Sequence, residues 1–269
     1  MGKDVGFEYL DKQEESVFET FLKYTSEKEK SSAVLANLLR KLLNRDNLNL
    51  LDIGSGNGEY LRLSLNKIRA RRLKRVSITL LEPSKDLIKR LRLIAKQFPP
   101  YAEVEINPST FDDFVPSNSF DVILVSHLPF ARDVLPRIYK RMLDMLNSDG
   151  CLVVVLRKND DIHEFRSTFK SRLMKESYHS LTIDSALDIF YELAKTRSIE
   201  VSTCSANSEL HLPIAGNMRD VISIVEFFLN KRWGEYPKDI QEDILSYIER
   251  KKGILLQTDG FALVRKTQV

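Results

Sequence analysis

The sequence has little cysteine, little histidine and no long apolar run. Its 269 residues include two cysteines, Cys151 and Cys204, and four histidines. No CxxC or Cys/His spacing is present, so the sequence predicts buried thiols and no metal site. No stretch approaches the ~18 apolar residues of a membrane-spanning helix, and the first residues lack the basic start and apolar run of a signal peptide. These absences predict a cytoplasmic protein without a membrane partner.

Charge of one sign is also scarce. Lys plus Arg number 41 and Asp plus Glu 38, a net +3 that by itself indicates no nucleic-acid or membrane partner. A basic run between Lys67 and Arg75 raises an RNA or protein substrate as an alternative. The run lacks the interleaved aromatic residues of a base-stacking surface, and a solvated face also explains it. The sequence therefore disfavours nucleic acid and gives no oligomeric state.

Short apolar runs typical of strands alternate with helical periodicities. The predicted strands are 48–53, 76–81, 104–106, 120–125, 151–156, 199–204 and 254–264. The predicted helices after residue 48 are 60–68, 87–98, 134–146, 162–174, 183–194, 218–230 and 240–248. Because parallel strands are normally joined through a helix, the pattern predicts an α/β fold, with a mostly parallel seven-stranded sheet and helices on both faces.

The two ends of the chain carry additional helices around this sheet. Residues 1–48 contain two amphipathic stripes and are predicted to form a helical cap over the substrate site. A capping-box pattern of Ser26 and Glu29 predicts the start of the second helix. Residues 49–269 are interpreted as one elaborated domain, in which 158–250 carry helical insertions on the substrate side.

The first strand is followed by a glycine-rich turn, from Asp52 to Gly58. Such turns bind ligands in open α/β sheets. Gly54, Gly56 and Gly58 can adopt backbone angles closed to other residues and place no side chain between backbone and ligand. A dinucleotide fingerprint needs glycine where this chain has Glu59, and the phosphate-loop pattern GxxxxGK[ST] is absent. The turn therefore predicts close approach to a ligand other than a nucleotide phosphate.

These residues resemble the motifs of class I, Rossmann-like methyltransferases. The first motif of that family is a strand ending in an acidic residue followed by GxGxG, and the second is an acidic residue closing the next strand, here Glu82. The resemblance implies S-adenosylmethionine as the cofactor, with Glu82 accepting hydrogen bonds from both ribose hydroxyls. The cofactor-binding residues that it implies are Asp52, Gly54, Ser55, Gly56, Gly58, Glu82, Pro83, Leu87, Thr110, Phe111 and Ser126.

The same resemblance assigns roles to residues after the third and fourth strands. Phe111 is expected to flank the adenine ring, and Thr110 or Asp112 to bond its amine. Ser126 and His127 are expected close to the reacting methyl group. A neutral His127 imidazole could accept the proton released when an amine is methylated, and a positioning or structural role is equally compatible with the sequence.

Over almost the whole chain, the pattern also resembles histamine N-methyltransferase and its relatives. The points of likeness are Phe21 to Glu27, Leu51 to Glu59, Glu82 to Ser84 and Lys251 to Leu256. The likeness implies that Glu27 binds an amine substrate, although an acid in a first helical turn is also favoured by the helix dipole. The family has an asparagine on its last strand, where this chain offers Gln257, Thr258 and Asp259, with Thr258 as the expected occupant. This departure puts histamine itself in doubt.

Together the motifs predict methyl transfer from S-adenosylmethionine to a small molecule, with an amine nitrogen as acceptor and His127 and Glu27 as catalytic candidates. The predicted reaction is a direct in-line displacement that needs no covalent enzyme intermediate. The alternatives are an RNA or protein methyltransferase, or a non-enzymatic partner protein that keeps the fold. The intact glycine set and Glu82 argue against a protein that has lost its activity.

Overall fold

The computed structural model describes residues 12–42, 47–68, 75–128, 130–174 and 181–267. The strands are β1 (Asn47–Ile53), β2 (Arg75–Leu81), β3 (Ala102–Asn107), β4 (Phe120–Ser126), β5 (Leu146–Arg157), β6 (Ile199–His211) and β7 (Ile254–Lys266). The helices are α1 (Lys12–Tyr24), α2 (Glu27–Leu42), α3 (Glu59–Asn66), α4 (Lys85–Ala95), α5 (Leu135–Asp144), α6 (Asp161–Met174), α7 (Ile183–Ala194), α8 (Met218–Leu229) and α9 (Lys238–Arg250).

The strands form one seven-stranded sheet in the order β3-β2-β1-β4-β5-β7-β6. The first five strands in this order are parallel to their neighbours, whereas β7 is antiparallel to β5. Ile53 at the end of β1 pairs with Leu81 in β2 and with Val125 in β4. The turns that follow these three strands therefore begin at the same edge of the sheet. The predicted Rossmann-like fold is confirmed.

The central strands are continuous apolar runs, as expected for a sheet that is covered on both faces. Alternate residues of a strand point to opposite faces. Leu51 and Ile53 pack in a cluster with α5 and α7. Leu48 and Leu50 pack in a second cluster with α2, α3 and α4. Cys151 lies in this second cluster, and burial raises the pKa of its thiol to about 11.

The chain divides into two compact units. The smaller contains the described residues of Met1–Glu27, Asn159–Ser180 and Ser208–Gln257, and its apolar core joins α1, α6, α8 and α9. The larger contains the described residues of Lys28–Lys158, Leu181–Asn207 and Thr258–Val269. The functional division into a cap at 1–48 and a domain at 49–269 stays a prediction.

The first turn of α2 is capped by a residue other than the predicted Ser26. Helix α2 begins close to the predicted point, but the N–H of Glu27 is capped by the Thr25 hydroxyl at 3.0 Å. The Ser26 hydroxyl instead accepts the N–H of Glu209 at 3.1 Å.

The basic run between Lys67 and Arg75 lies mostly outside the described residues. Among the helices that are described, none has the length and hydropathy needed to cross a membrane.

Candidate active site

The turn after β1 has a backbone that only glycine adopts readily. Gly54, Gly56 and Gly58 have φ angles of 69°, 58° and 76°, in the left-handed region. A Cβ atom on Gly54 would lie 2.7 Å from Cδ1 of Leu128, and one on Gly58 would collide with Leu91. A Cβ on Gly56 would meet no atom within 4 Å. The middle glycine therefore presents bare backbone to open space, as a bound cofactor requires.

Short hydrogen bonds hold this turn against the end of β2. The N–H groups of Gly54 and Ser55 both donate to the carbonyl of Leu81, at 2.9 and 3.1 Å. The Ser55 hydroxyl donates to the Asp52 carbonyl at 2.8 Å, and the Gly58 N–H donates to the Ser55 carbonyl at 2.8 Å. Hydrogen bonds to β2 and within the turn thus fix its conformation, which preorganises it for a ligand.

Glu82, immediately after β2, is 2% exposed and faces the turn. Its Oε2 accepts the Gly56 N–H at 2.9 Å, and its Oε1 accepts the Ser84 N–H at 2.9 Å. The Ser84 hydroxyl then caps α4 by accepting the N–H of Leu87 at 3.4 Å. A carboxylate has about four acceptor positions, so Glu82 can hold the turn and also accept from ribose hydroxyls. Pro83 and Leu87 follow in the same short segment.

Asp52, at the end of β1, is a buried acid. Burial raises the pKa of its carboxyl to about 7, the Ser55 hydroxyl lowers it, and the nearby Glu82 raises it further. The folded protein therefore holds a proton on Asp52 over a pH range in which the unfolded chain, with a pKa near 3.8, has lost it. The folded state loses stability as the pH rises through this range, because unfolding releases the Asp52 proton and that release becomes more favourable as the pH rises.

We therefore expect Asp52→Asn to stabilise the ligand-free protein at high pH. Between pH 4 and 7 the free energy of unfolding of the wild type should fall with pH relative to the variant. The difference should reach up to about 4 kcal/mol above pH 7, because the pKa of Asp52 is about 7 in the folded protein and 3.8 in the unfolded chain. Urea denaturation at pH 4.5 and pH 8 measures it. Asp112→Asn, at an exposed acid, is the control; equal pH dependence in all three proteins would contradict the expectation.

The loop after β3 uses its predicted adenine-binding side chains in internal contacts. The Thr110 hydroxyl donates to Asp113 at 2.7 Å and accepts the Asp113 N–H at 3.2 Å. Phe111 is buried, and the guanidinium of Arg141 lies 4.5 Å from the centroid of its ring. Asp112 forms an exposed ion pair with Arg137 at 3.4 Å. Adenine contacts of Thr110 and Phe111 stay predictions.

His127 lies directly after β4, whose last residue, Ser126, is half-buried and pairs with Val155. Its φ of 51° is in the left-handed region, and its N–H donates to the Val155 carbonyl at 2.8 Å. The next residue, Leu128, is the side chain that covers Gly54. This contact brings the His127 turn against the glycine-rich turn, which supports the expectation that His127 lies near the methyl donor.

A buried acid on β7, Asp259, faces His127, whereas the sequence favoured its neighbour Thr258 as the site residue of this strand. Nε2 of His127 is 3.3 Å from Oδ1 of Asp259, whose side chain is 1% exposed, against 38% for the histidine. Burial alone would raise the pKa of Asp259, but His127, Arg157 and Ser31 outweigh it and lower the pKa, so that the carboxyl is ionised. The signal in the sequence was the polar stretch of Gln257, Thr258 and Asp259, which interrupts the apolar residues of β7.

Glu27, the predicted amine-binding acid, belongs to the smaller unit. Its Oε2 accepts a hydrogen bond from Nε2 of Gln257 at 3.0 Å. Oε1 of Gln257 accepts the Thr25 hydroxyl at 2.5 Å, and Gln257 is 1% exposed. The Glu27 carboxylate is thus held by a buried amide. Thr258, which was matched to the asparagine of the related family, instead donates to Oδ1 of Asn207 at 3.2 Å.

Comparisons with known proteins agree with this geometry. A family model described as a methyltransferase domain matches residues 25–190. None of the curated proteins matches the chain. The YcgJ protein from Bacillus subtilis superposes with a TM-score of 0.53 at 14% identity, over 87% of this chain and 98% of that one.

Two further structures have similar scores. The plantazolicin methyltransferase BpumL, solved with S-adenosylhomocysteine, has a TM-score of 0.52 at 13% identity, over 95% of this chain and 90% of that one. A protein from Galdieria sulphuraria, provisionally described as a sarcosine dimethylglycine methyltransferase, has a TM-score of 0.51 at 18% identity, over 96% and 99%. At these identities the likeness shows the fold.

The match to the family model spans the glycine-rich turn, Glu82 and His127, and it covers more than half of the chain. The general resemblance to class I methyltransferases is confirmed, whereas the finer likeness to histamine N-methyltransferase gains no support and stays a prediction. The chain belongs to the methyltransferase-domain family and is an S-adenosylmethionine-dependent methyltransferase.

Proposed function

We propose that the protein methylates a nitrogen atom of a small amine, with His127 as the proton acceptor and Glu27 as the anchor for a cationic group of the substrate. The observation that carries the proposal is the position of His127 directly after β4, where the next residue, Leu128, contacts Gly54 of the glycine-rich turn. An amine nitrogen must lose a proton when it is methylated, and an imidazole can accept that proton near neutral pH.

S-adenosylmethionine supplies an electrophilic methyl group on a sulfonium, so a neutral nitrogen can displace the thioether directly. The protein orients the acceptor in line with that group and excludes water, and orientation alone supplies roughly 7 to 11 kcal/mol. His127 takes the proton from the acceptor nitrogen onto a ring nitrogen. Glu27 accepts hydrogen bonds from a cationic group elsewhere on the acceptor, an interaction strengthened by opposite charge.

The contacts of Glu27 support this role. Gln257 donates to one carboxylate oxygen and is itself oriented by Thr25, so the Glu27 carboxylate is held in a defined position. The name of the Galdieria sulphuraria protein points to the same substrate class, because sarcosine and dimethylglycine are amines.

The proposal is tested by incubating the protein with S-adenosylmethionine and a panel of imidazole-type and phenethyl-type amines, with a short unmodified peptide and an RNA as comparison acceptors. We expect methylation of at least one amine. Glu27→Gln should raise the KM for that amine about 10- to 150-fold, because a hydrogen bond to a charged group contributes about 1.5 to 3 kcal/mol.

Glu29→Gln is the matched control, since Glu29 is an exposed glutamate on the same helix. It should leave the KM unchanged, and neither variant should alter the affinity for S-adenosylhomocysteine. Methylation of the peptide or the RNA alone would overturn the choice of a small amine. Equal KM values for the two variants would remove Glu27 from the substrate site.

A further inference from the structure

Asp259 is a buried acid whose side chain faces the imidazole of His127. We infer that Asp259 is a positioning residue, which holds that imidazole in one orientation and one tautomer with Nδ1 as the basic nitrogen. The inference rests on the proposed role of His127 as the proton acceptor. It adds a residue from β7 to the candidate site residues that lie in the turns after β1, β2 and β4.

The different exposures of the two side chains assign their roles. Asp259 is 1% exposed and lies behind the imidazole, whereas the His127 side chain is 38% exposed. An acceptor can therefore reach the imidazole but not the carboxylate. Because Nε2 is the ring nitrogen 3.3 Å from the carboxylate, the proton of a neutral imidazole is favoured on Nε2. The lone pair is then on Nδ1, and the carboxylate stabilises the imidazolium once Nδ1 takes a proton.

The surroundings of Asp259 differ from those of Asp121, an acid whose contacts are structural. Asp121, at the start of β4, accepts the Asn49 N–H at 2.9 Å and the Asn147 amide at 2.8 Å. In the described part of the chain, neither oxygen of Asp259 has a hydrogen bond of standard geometry. Burying a carboxylate is costly unless it is paired, and hydrogen bonds of catalytic groups often shorten only when substrate binds. Pairing with His127 accounts for the position of Asp259.

The backbone fixes both partners. The His127 N–H is bonded to β5, and Asp259 lies opposite Arg157 where β7 pairs with β5. The next residue, Gly260, packs so closely on Ile183 that a Cβ atom there would lie 2.8 Å from Cβ of Ile183. Arg157 from β5 is a positive charge close to the carboxylate of Asp259, and Ser31 from α2 adds a neutral hydroxyl near it.

The pairing can be tested without any acceptor, by ¹⁵N NMR of the histidine side chains at pH 8, where an ordinary imidazole is neutral. His127→Asn identifies the His127 signals. We expect the wild type to show a single tautomer protonated on Nε2, and Asp259→Asn to show a mixture of tautomers. Unchanged His127 signals in Asp259→Asn would overturn the inference, whether or not a methyl acceptor has been found.

The second readout is the kinetics with an amine that the protein methylates. Asp259→Asn should lower kcat by at least about 10- to 100-fold, the loss seen when groups that orient metal-bound histidines are removed, with the KM for S-adenosylmethionine unchanged. In a His127→Asn background the same substitution should have no further effect, because the two residues act as a unit. Equal losses in both backgrounds would show a purely structural role. Asp121→Asn is the control for loss of a structural acid and should keep kcat. Failure of every amine to react would instead refute the proposed function.

Discussion

Glu82→Ala is expected to weaken S-adenosylhomocysteine binding by at least about 100-fold. Glu82 is predicted to accept two hydrogen bonds from ribose hydroxyls, and a hydrogen bond to a charged group contributes about 1.5 to 3 kcal/mol. The substitution also leaves the N–H groups of Gly56 and Ser84 without their acceptor, so the glycine-rich turn loses its tie to the segment after β2. Isothermal titration of wild type and variant with S-adenosylhomocysteine measures both effects together.

Glu105→Ala is the matched control, because Glu105 is an exposed glutamate on the neighbouring strand β3. It should bind S-adenosylhomocysteine as the wild type does. Gly56→Arg is the companion variant, since it puts a large side chain at a φ of 58° and into the open space beside the turn. If Glu82→Ala and Gly56→Arg are folded and bind with wild-type affinity, the cofactor lies elsewhere.

His127→Asn is expected to lower kcat about 10²- to 10⁴-fold, the usual contribution of a positioned general base. Asparagine is the replacement of choice because it tolerates the left-handed backbone that His127 adopts at a φ of 51° better than alanine does. The affinity for S-adenosylhomocysteine should not change, because the imidazole is not assigned to cofactor binding. Single-turnover assays with an amine that the protein methylates measure the chemical step.

The chain offers a closely matched control in His211, an exposed histidine that is also paired with an acid, at 2.8 Å from Glu209. His211→Asn should retain full activity, since exposed ion pairs contribute little. A His127→Asn variant with wild-type kcat would show that water or the acceptor itself disposes of the proton. Glu27 would then be the only remaining catalytic candidate of the two.

The features that are local in the chain are predictable from the sequence. The apolar runs of β1, β2, β4 and β5 predict strands by themselves, and Asp52, the three glycines and Glu82 stand within or directly after such strands. Their arrangement follows because consecutive parallel strands bring their carboxyl ends to one edge of a sheet. The cofactor turn was therefore accessible from the sequence before any contact was known.

The features that depend on register between distant strands were not predicted. Thr258 was chosen as the site residue of β7, but Thr258 donates to Asn207 whereas Asp259 faces His127. Neighbouring residues of a strand point to opposite faces, so an error of one position exchanges a site residue for one on the other side. The pairing of β7 with β5 decides between the two, and no local pattern reveals it.

The loop after β3 shows a second limit. The positions of Thr110 and Phe111 follow from family likeness, but the structure uses the Thr110 hydroxyl to close a turn with Asp113 and packs Phe111 in the apolar core against Arg141. Side-chain contacts of this kind depend on α5, which lies later in the chain. Sequence motifs identify the loop, while its rotamers are set by long-range packing.

The position of β7 also determines how the protein can be made. β7 lies between β5 and β6, so β6, which is translated first, has its sheet neighbour only after β7 has left the ribosome. Until then β5 presents an open apolar edge, and open edges of this kind invite pairing with other chains. The interval between the synthesis of β5 and the pairing of β7 with it is therefore the one in which we expect the nascent protein to depend most on chaperones.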